Sequence, residues 1–122
     1  MFSHLFSFSG RSGRLEFFIH SILDLLFIAV SVISISLMDR YFEIKTNEMA
    51  ILGMILFIIF VGALTETCAT VRRFHDIGMS GWSFFLTMIP IVNFIIGFKL
   101  LFQKGTSTSN KYGPSRTKIA LN

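Results

Sequence analysis

Three long apolar stretches follow one another along the chain, separated by polar segments. They cover residues 17–38, 49–71 and 82–102, and Asp24, Glu66 and Lys99 are the charged residues within them. At about 1.5 Å per residue, a helix of this length covers the roughly 30 Å hydrocarbon core of a membrane. The pattern therefore predicts an all-α integral membrane protein with two transmembrane helices and a third apolar stretch.

The third stretch carries Pro90 and Asn93 near its middle. Proline removes a backbone hydrogen bond from a helix, and a carbonyl freed in lipid must find another partner. We therefore expect a break near Pro90, in a re-entrant hairpin or a kinked third span. In a hairpin each arm has only about ten residues, so the turn is expected to be buried in protein.

The distribution of Lys and Arg favours the hairpin. If all three stretches span, Arg11, Arg14, Arg72 and Arg73 lie on one side and seven cations on the other. If the third stretch re-enters, nine lie with the N-terminus and two opposite, which the positive-inside rule prefers. This topology puts the N-terminus in the cytoplasm. The seven cations that a spanning third stretch would place opposite the N-terminus are Arg40, Lys45, Lys99, Lys104, Lys111, Arg116 and Lys118.

Length and composition fit one membrane domain. The 122 residues are 52% hydrophobic and 15% charged, which is too apolar for disorder or for a soluble bundle. The net charge of +4 lies beside apolar spans, so anionic lipid is a better match for it than nucleic acid. The predicted order is a basic arm (1–16), helix 1 (17–38), a loop (39–48), helix 2 (49–71), a loop (72–81), the broken stretch (82–102) and a basic polar tail (103–122).

Ionisable residues inside the first two stretches form a candidate cluster. Glu16, His20 and Asp24 share one face of helix 1, and Glu66 of an antiparallel helix 2 reaches the depth of Asp24. Such groups should face the bundle and find partners. The cluster is either a charge-paired staple, which we favour, or a site for a proton, a metal ion or an anionic headgroup. No metal motif occurs, so no metal or other cofactor is predicted.

A second candidate is the basic segment after helix 2. Arg72 and Arg73 precede His75, Asp76 and a glycine-rich turn, and guanidinium groups near a helix start can bind phosphate. The ordinary alternative is a positive-inside segment followed by a turn. No catalytic motif is visible, so we expect a protein that is not an enzyme. The headgroup-binding or partner-binding candidates are Arg11, Arg14, Arg72, Arg73, His75 and Asp76.

Three polar motifs carry a resemblance to a known family. They are residues 8–18 (FSGRSGRLEFF), 72–82 (RRFHDIGMSGW) and 110–114 (NKYGP). In this order they resemble the signatures of the YhaH-like family of small bacterial inner-membrane proteins, domain of unknown function 805. Phe18 stands where an aromatic such as Trp is usual, and Phe74 where Leu is common. The resemblance implies a multi-pass protein of the bacterial inner membrane, and it implies no particular activity.

The family's characteristic positions suggest one assembled face. Under the hairpin topology, the arm, the Arg-Arg-Phe-His-Asp segment and the tail turn lie together. The expected pairs are Glu16 with Arg72 or Arg73, and Asp76 with Arg11 or Arg14. These implied positions are Gly10, Arg11, Arg14, Glu16, Arg72, Arg73, His75, Asp76, Gly78, Ser80, Gly81, Trp82, Asn110 and Gly113.

Three functions follow from these features, in decreasing order of support. The first is a non-enzymatic protein that binds anionic lipid or a partner protein through a basic cytoplasmic face, with a homo-oligomer left open. The second is a small oligomeric transporter or channel that uses Asp24, His20 and Glu66 as a relay and the Pro90 break as a midplane site. The third is a lipid-modifying enzyme with His75 and Asp76 as acid and base.

Overall fold

The computed structural model describes residues 5–41 and 47–116. Three α-helices and one 3₁₀ helix make up its regular structure, with no β-strand in these ranges. The helices are α1 (Arg14–Tyr41), α2 (Glu48–Asp76), a 3₁₀ helix (Gly81–Met88) and α3 (Pro90–Phe102). The predicted all-α class is confirmed. Lys45, Lys118 and parts of the arm, the first loop and the tail lie outside the described residues.

Helices α1 and α2 have the length and surface of membrane spans. They contain 28 and 29 residues, which corresponds to about 42 Å each at the α-helical rise. Large apolar side chains such as Phe27, Phe57 and Phe60 are more than half exposed along both helices. So much exposed apolar surface is typical of a face that contacts lipid.

Small residues let α1 and α2 approach each other closely. A Cβ at Gly62 would lie 2.6 Å from Cδ1 of Ile28, and Thr65, Cys68 and Ala69 are buried further along α2. Small residues at helix interfaces have this effect in membrane proteins. Gly62 and Thr65 therefore lie in the contact between the two helices.

The third apolar stretch is a hairpin that leaves from the end of α2 and returns to it. At its start, a Cβ at Gly81 would lie 2.9 Å from Cγ1 of Val71. Just after its end, Thr106 N–H donates to the Asp76 carbonyl over 2.9 Å. The 3₁₀ arm is about 16 Å long and the α3 arm about 20 Å, so neither crosses a 30 Å core. The geometry of this stretch is that of the hairpin alternative and not of a kinked third span.

The tip of the hairpin is exposed, contrary to the expectation that protein buries it. Met88 and Ile89 are 67% and 51% exposed. Local bonds explain this, because Ile89 N–H donates to the Leu86 carbonyl and Asn93 N–H to the Ile89 carbonyl. Pro90 occupies the first turn of α3, where a missing N–H costs no helical bond.

Helix α2 continues five residues beyond its predicted end, so the predicted loop 72–81 is corrected. Arg72 to Asp76 form the last turns of the helix, and Gly78, with φ of +80°, ends it. Gly78 N–H donates to the His75 carbonyl and Met79 N–H to the Phe74 carbonyl. These two bonds form a Schellman motif, which satisfies the last carbonyls and needs a left-handed residue. Helix α1 likewise exceeds its predicted bounds, by three residues at each end.

The hydrophobic core lies at one end of the molecule. The start of α1, the end of α2, the base of the hairpin and the tail meet there, and we call this region the basic end. Its core contains Phe17, Ala69, Phe74, Ile77, Ile96 and Leu100. Eight described cations lie at the basic end, against Arg40 at the other. They are Arg11, Arg14, Arg72, Arg73, Lys99, Lys104, Lys111 and Arg116.

Candidate functional site

Two arginines from different segments share one carboxylate at the basic end. Arg11 of the N-terminal arm places Nη2 2.9 Å from Oδ1 of Asp76, and Arg73 places Nη1 2.5 Å from Oδ2. All three side chains are almost completely buried. We call these three residues the buried arginine cluster. The predicted pair of Asp76 with Arg11 is confirmed.

The remaining donors of the cluster bind backbone carbonyls. Arg11 donates to the carbonyls of Thr106 and Thr108 over 2.7 and 2.9 Å. Arg73 donates to the Leu100 carbonyl over 2.8 Å and also to that of Gln103. Because guanidinium carries five donors in a fixed fork, each arginine can join several segments at once. The cluster ties the arm and the tail to α2.

These contacts change the roles expected of the predicted headgroup ligands. Arg11, Arg72 and Arg73 are 3%, 5% and 0% exposed, so their guanidinium groups do not face the surface. The Arg73 side chain stays a cation at neutral pH, because guanidinium groups are not deprotonated in proteins. Arg14 differs, because it is exposed and donates to the Phe102 carbonyl over 3.3 Å.

His75 joins the same assembly through its ring. Nδ1 lies 3.1 Å from the Gly10 carbonyl, and the ring stacks on Tyr112 with centroids 3.8 Å apart. Since a carbonyl only accepts, Nδ1 carries the proton in this bond. The ring therefore links the arm, through Gly10, to the tail, through Tyr112.

The second predicted pairing is wrong. Oε2 of Glu16 lies 3.9 Å from Nη2 of Arg116, so Glu16 pairs with Arg116 rather than with Arg72 or Arg73. Arg72 instead directs Nε to the Cys68 carbonyl of its own helix, over 3.4 Å. The physical reason is that Asp76, one turn from Arg73, offers a buried carboxylate that Glu16 cannot match. Glu16 therefore leaves the cluster predicted in helices 1 and 2, and His20, Asp24 and Glu66 form a group apart from the buried arginine cluster.

The second group is an intramembrane triad of His20, Asp24 and Glu66. One ligand atom from each side chain lies within 4.8 Å of the others. Two hydroxyl groups orient the carboxylates: Ser21 donates to Oε1 of Glu66 over 2.8 Å, and Thr65 donates to Asp24. The predicted matching depth of Asp24 and Glu66 is confirmed.

His20 is the buried member of the triad. It is 7% exposed, and its Nδ1 and Nε2 have no hydrogen-bond partner among the described residues. The nearest acidic atom, Oε2 of Glu66, is 3.6 Å from Nδ1 and also lacks a hydrogen bond. An unsatisfied buried polar group costs about 1–3 kcal/mol, so this arrangement is unusual in a well-packed interior.

Four residues that shape the triad or the surroundings of Asp76 were not predicted. Ser21 and Thr65 orient the triad, while Gly105 and Thr106 bring the tail against Asp76. Ser21 and Thr65 could have been found from the sequence, because Ser21 is adjacent to His20 and Thr65 is adjacent to Glu66. Gly105 lies in an ordinary polar run, and only the close approach of Asp76 gives it significance.

Comparisons with known proteins agree with the motif resemblance. A family model described as "Protein of unknown function (DUF805)" matches residues 5–114, which is most of the chain and includes both groups. No curated protein and no solved structure matches the chain. The matched region contains all three polar motifs that carry the resemblance. The chain therefore belongs to the DUF805 family.

Proposed function

We propose that this protein is a non-enzymatic protein of the bacterial inner membrane that binds anionic lipid headgroups at its basic end. The buried arginines do not carry this role. The observation behind the proposal is a group of exposed cations beside them, at the level where the apolar helices end: Arg14, Lys99, Lys104 and Lys111.

Trp82 supports the same placement. It is 77% exposed and lies next to Gly81, where the hairpin leaves the basic end. Exposed tryptophan is enriched at the boundary between headgroups and hydrocarbon. Cations at that depth attract anionic lipid by about 1 kcal/mol each. The excess of cations at this end favours a cytoplasmic orientation by the positive-inside rule.

The absence of an enzymatic role is part of the proposal. The His75 ring is engaged by Gly10 and Tyr112, and both carboxylate oxygens of Asp76 are held by arginines. Neither group is presented to a substrate. This arrangement favours a structural role for the two residues over acid–base chemistry.

Lipid selectivity in nanodiscs tests the proposal. We expect the purified protein to enrich phosphatidylglycerol or cardiolipin around itself over phosphatidylcholine. The triple variant Lys99→Gln, Lys104→Gln, Lys111→Gln should lose most of that enrichment, since three cations contribute on the order of 3 kcal/mol. Arg40→Gln, an exposed cation at the other end, is the matched control. Equal enrichment in the triple variant and the wild type would overturn the proposal.

Cation or proton transport is a second candidate, favoured by one observation. His20, Asp24 and Glu66 meet inside the span, as a relay requires. The Pro90 break contributes less to this candidate, because it lies at the exposed tip of the hairpin. Proteoliposomes that show proton or Mn²⁺ flux in the wild type, and none in Glu66→Gln, would support transport. Absence of flux at every pH tested would remove it.

A further inference from the structure

The intramembrane triad brings together three side chains that commonly ligate metal ions. His20 and Asp24 are one turn apart on α1, and Glu66 faces them from α2. One nitrogen and two carboxylate oxygens lie within 4.8 Å of one another. Ligands of one metal ion lie about 3–4 Å apart when each bond is about 2.1 Å, so small rotations of the side chains close the site.

The unpartnered imidazole points independently to a ligand. His20 is more than nine-tenths buried, and neither ring nitrogen has a hydrogen-bond partner among the described residues. Its Nδ1 faces Oε2 of Glu66 at 3.6 Å, which is too long for a hydrogen bond and leaves both atoms with a free lone pair or proton. An ion between them would satisfy both atoms.

Within the described residues, His20 is the one side chain within ion-pair distance of either carboxylate of the triad, 3.6 Å from Glu66. In residues 5–41 and 47–116, no Lys or Arg side chain lies within ion-pair distance of Asp24 or Glu66. A positive charge close to two carboxylates in an apolar helix pair stabilises their ionised form. A divalent cation supplies that charge and binds the imidazole at the same time.

Hydroxyl groups hold the carboxylates as an outer shell does in known metal sites. Thr65 donates to Asp24 over 2.8 Å, and Ser21 donates to Glu66 over 2.8 Å. Outer-shell donors of this kind fix the orientation of ligating carboxylates. The Glu66 side chain is 37% exposed, so the triad reaches the surface of the helix pair.

We propose that His20, Asp24 and Glu66 form a binding site for a divalent transition-metal ion. One imidazole with two carboxylates suits Zn²⁺, Mn²⁺ or Fe²⁺ and lacks the sulfur ligands that soft ions prefer. The site lies within the helix pair, apart from the exposed cations of the basic end. It is therefore independent of the lipid-binding proposal.

Metal binding by the full chain in detergent tests this inference. Chelator-treated protein is loaded with Zn²⁺ or Mn²⁺, desalted and assayed for bound metal, and Co²⁺ absorption reports the coordination geometry. We expect about one ion per chain in the wild type and at least a tenfold loss of affinity in His20→Gln and Glu66→Gln. Glu48→Gln, an exposed carboxylate in the first turn of α2, is the matched control and should bind like the wild type.

A further variant separates metal binding from folding. Thr65→Val keeps the size of the side chain and removes its hydrogen bond to Asp24, so we expect affinity to fall by roughly 10–100-fold. Thermal unfolding without metal identifies any variant that fails to fold, and Glu66→Gln, at the partly exposed position, is the variant expected to retain the fold. A wild type that binds no Zn²⁺, Mn²⁺ or Co²⁺ would overturn the inference. So would equal binding by wild type and folded Glu66→Gln.

Discussion

Gly105 lies directly against the carboxylate of Asp76, in a place that no larger residue can occupy. A Cβ at this position would overlap the carboxylate. The carboxylate cannot move aside, because Arg11 and Arg73 hold its two oxygens. The close approach of the tail to the end of α2 therefore depends on a glycine at position 105.

Gly105→Ala should destabilise the protein by roughly 1–3 kcal/mol, as overpacking does in other cores. Gly97→Ala is the matched control, because a Cβ there meets no atom within 4 Å. Alanine inside a helix is more favourable than glycine, so the control should be neutral or slightly stabilising. Thermal unfolding in detergent measures both, and equal melting temperatures would contradict the account.

Asp76→Asn should destabilise the basic end more strongly. The change keeps the size of the side chain but leaves two buried arginines without a counter-charge, which costs about 3–5 kcal/mol. We expect faster hydrogen exchange of the backbone in both the arm and the tail, because both are bound through Arg11. Glu48→Gln, an exposed acidic residue at the other end, controls for the loss of one carboxylate. Unchanged exchange in the arm would show that Asp76 does not join these segments.

Arg73→Lys tests the geometry of the cluster separately from its charge. Lysine keeps the positive charge near Asp76 but cannot reproduce the fork that reaches the Leu100 and Gln103 carbonyls. The expected loss is about 1–3 kcal/mol, with easier proteolysis of the tail after residue 103. Arg40→Lys, at an exposed position, should leave both the stability and the proteolysis of the tail unchanged. Wild-type resistance to proteolysis in Arg73→Lys would mean that charge alone holds the tail.

The sequence predicts the spans and the hairpin because both follow from patterns along the chain. Long apolar stretches, Pro90 and the unequal distribution of cations are visible without a structure. The depth match of Asp24 and Glu66 is likewise predictable, since helical rise and antiparallel order determine it. These features depend on local chemistry and on the dimensions of the membrane.

The partners of the arginines could not be predicted in the same way. Arg11 binds Asp76 and carbonyls of the tail, about 65 and 95 positions away, and backbone carbonyls carry no residue-type signal. Arg72 and Arg73 are adjacent in sequence, yet they face different surroundings because α2 continues through them. The segment 72–76 was predicted as a loop, since its polarity concealed a helix buried on all sides. Gly105 could not be predicted either, because a single glycine in a polar run has no pattern that distinguishes it.

Sidedness labelling tests the central claim most directly, namely that the arm and the tail lie on the same side of the membrane. In a Cys68→Ser background, single cysteines replace Ser9 in the arm, Lys111 in the tail and Glu48 at the start of α2, all exposed positions. The account predicts that an impermeant maleimide labels positions 9 and 111 from the same side of sealed membranes, and position 48 from the other. Labelling of position 111 together with position 48 would mean that residues 82–102 cross the membrane, and would contradict the account.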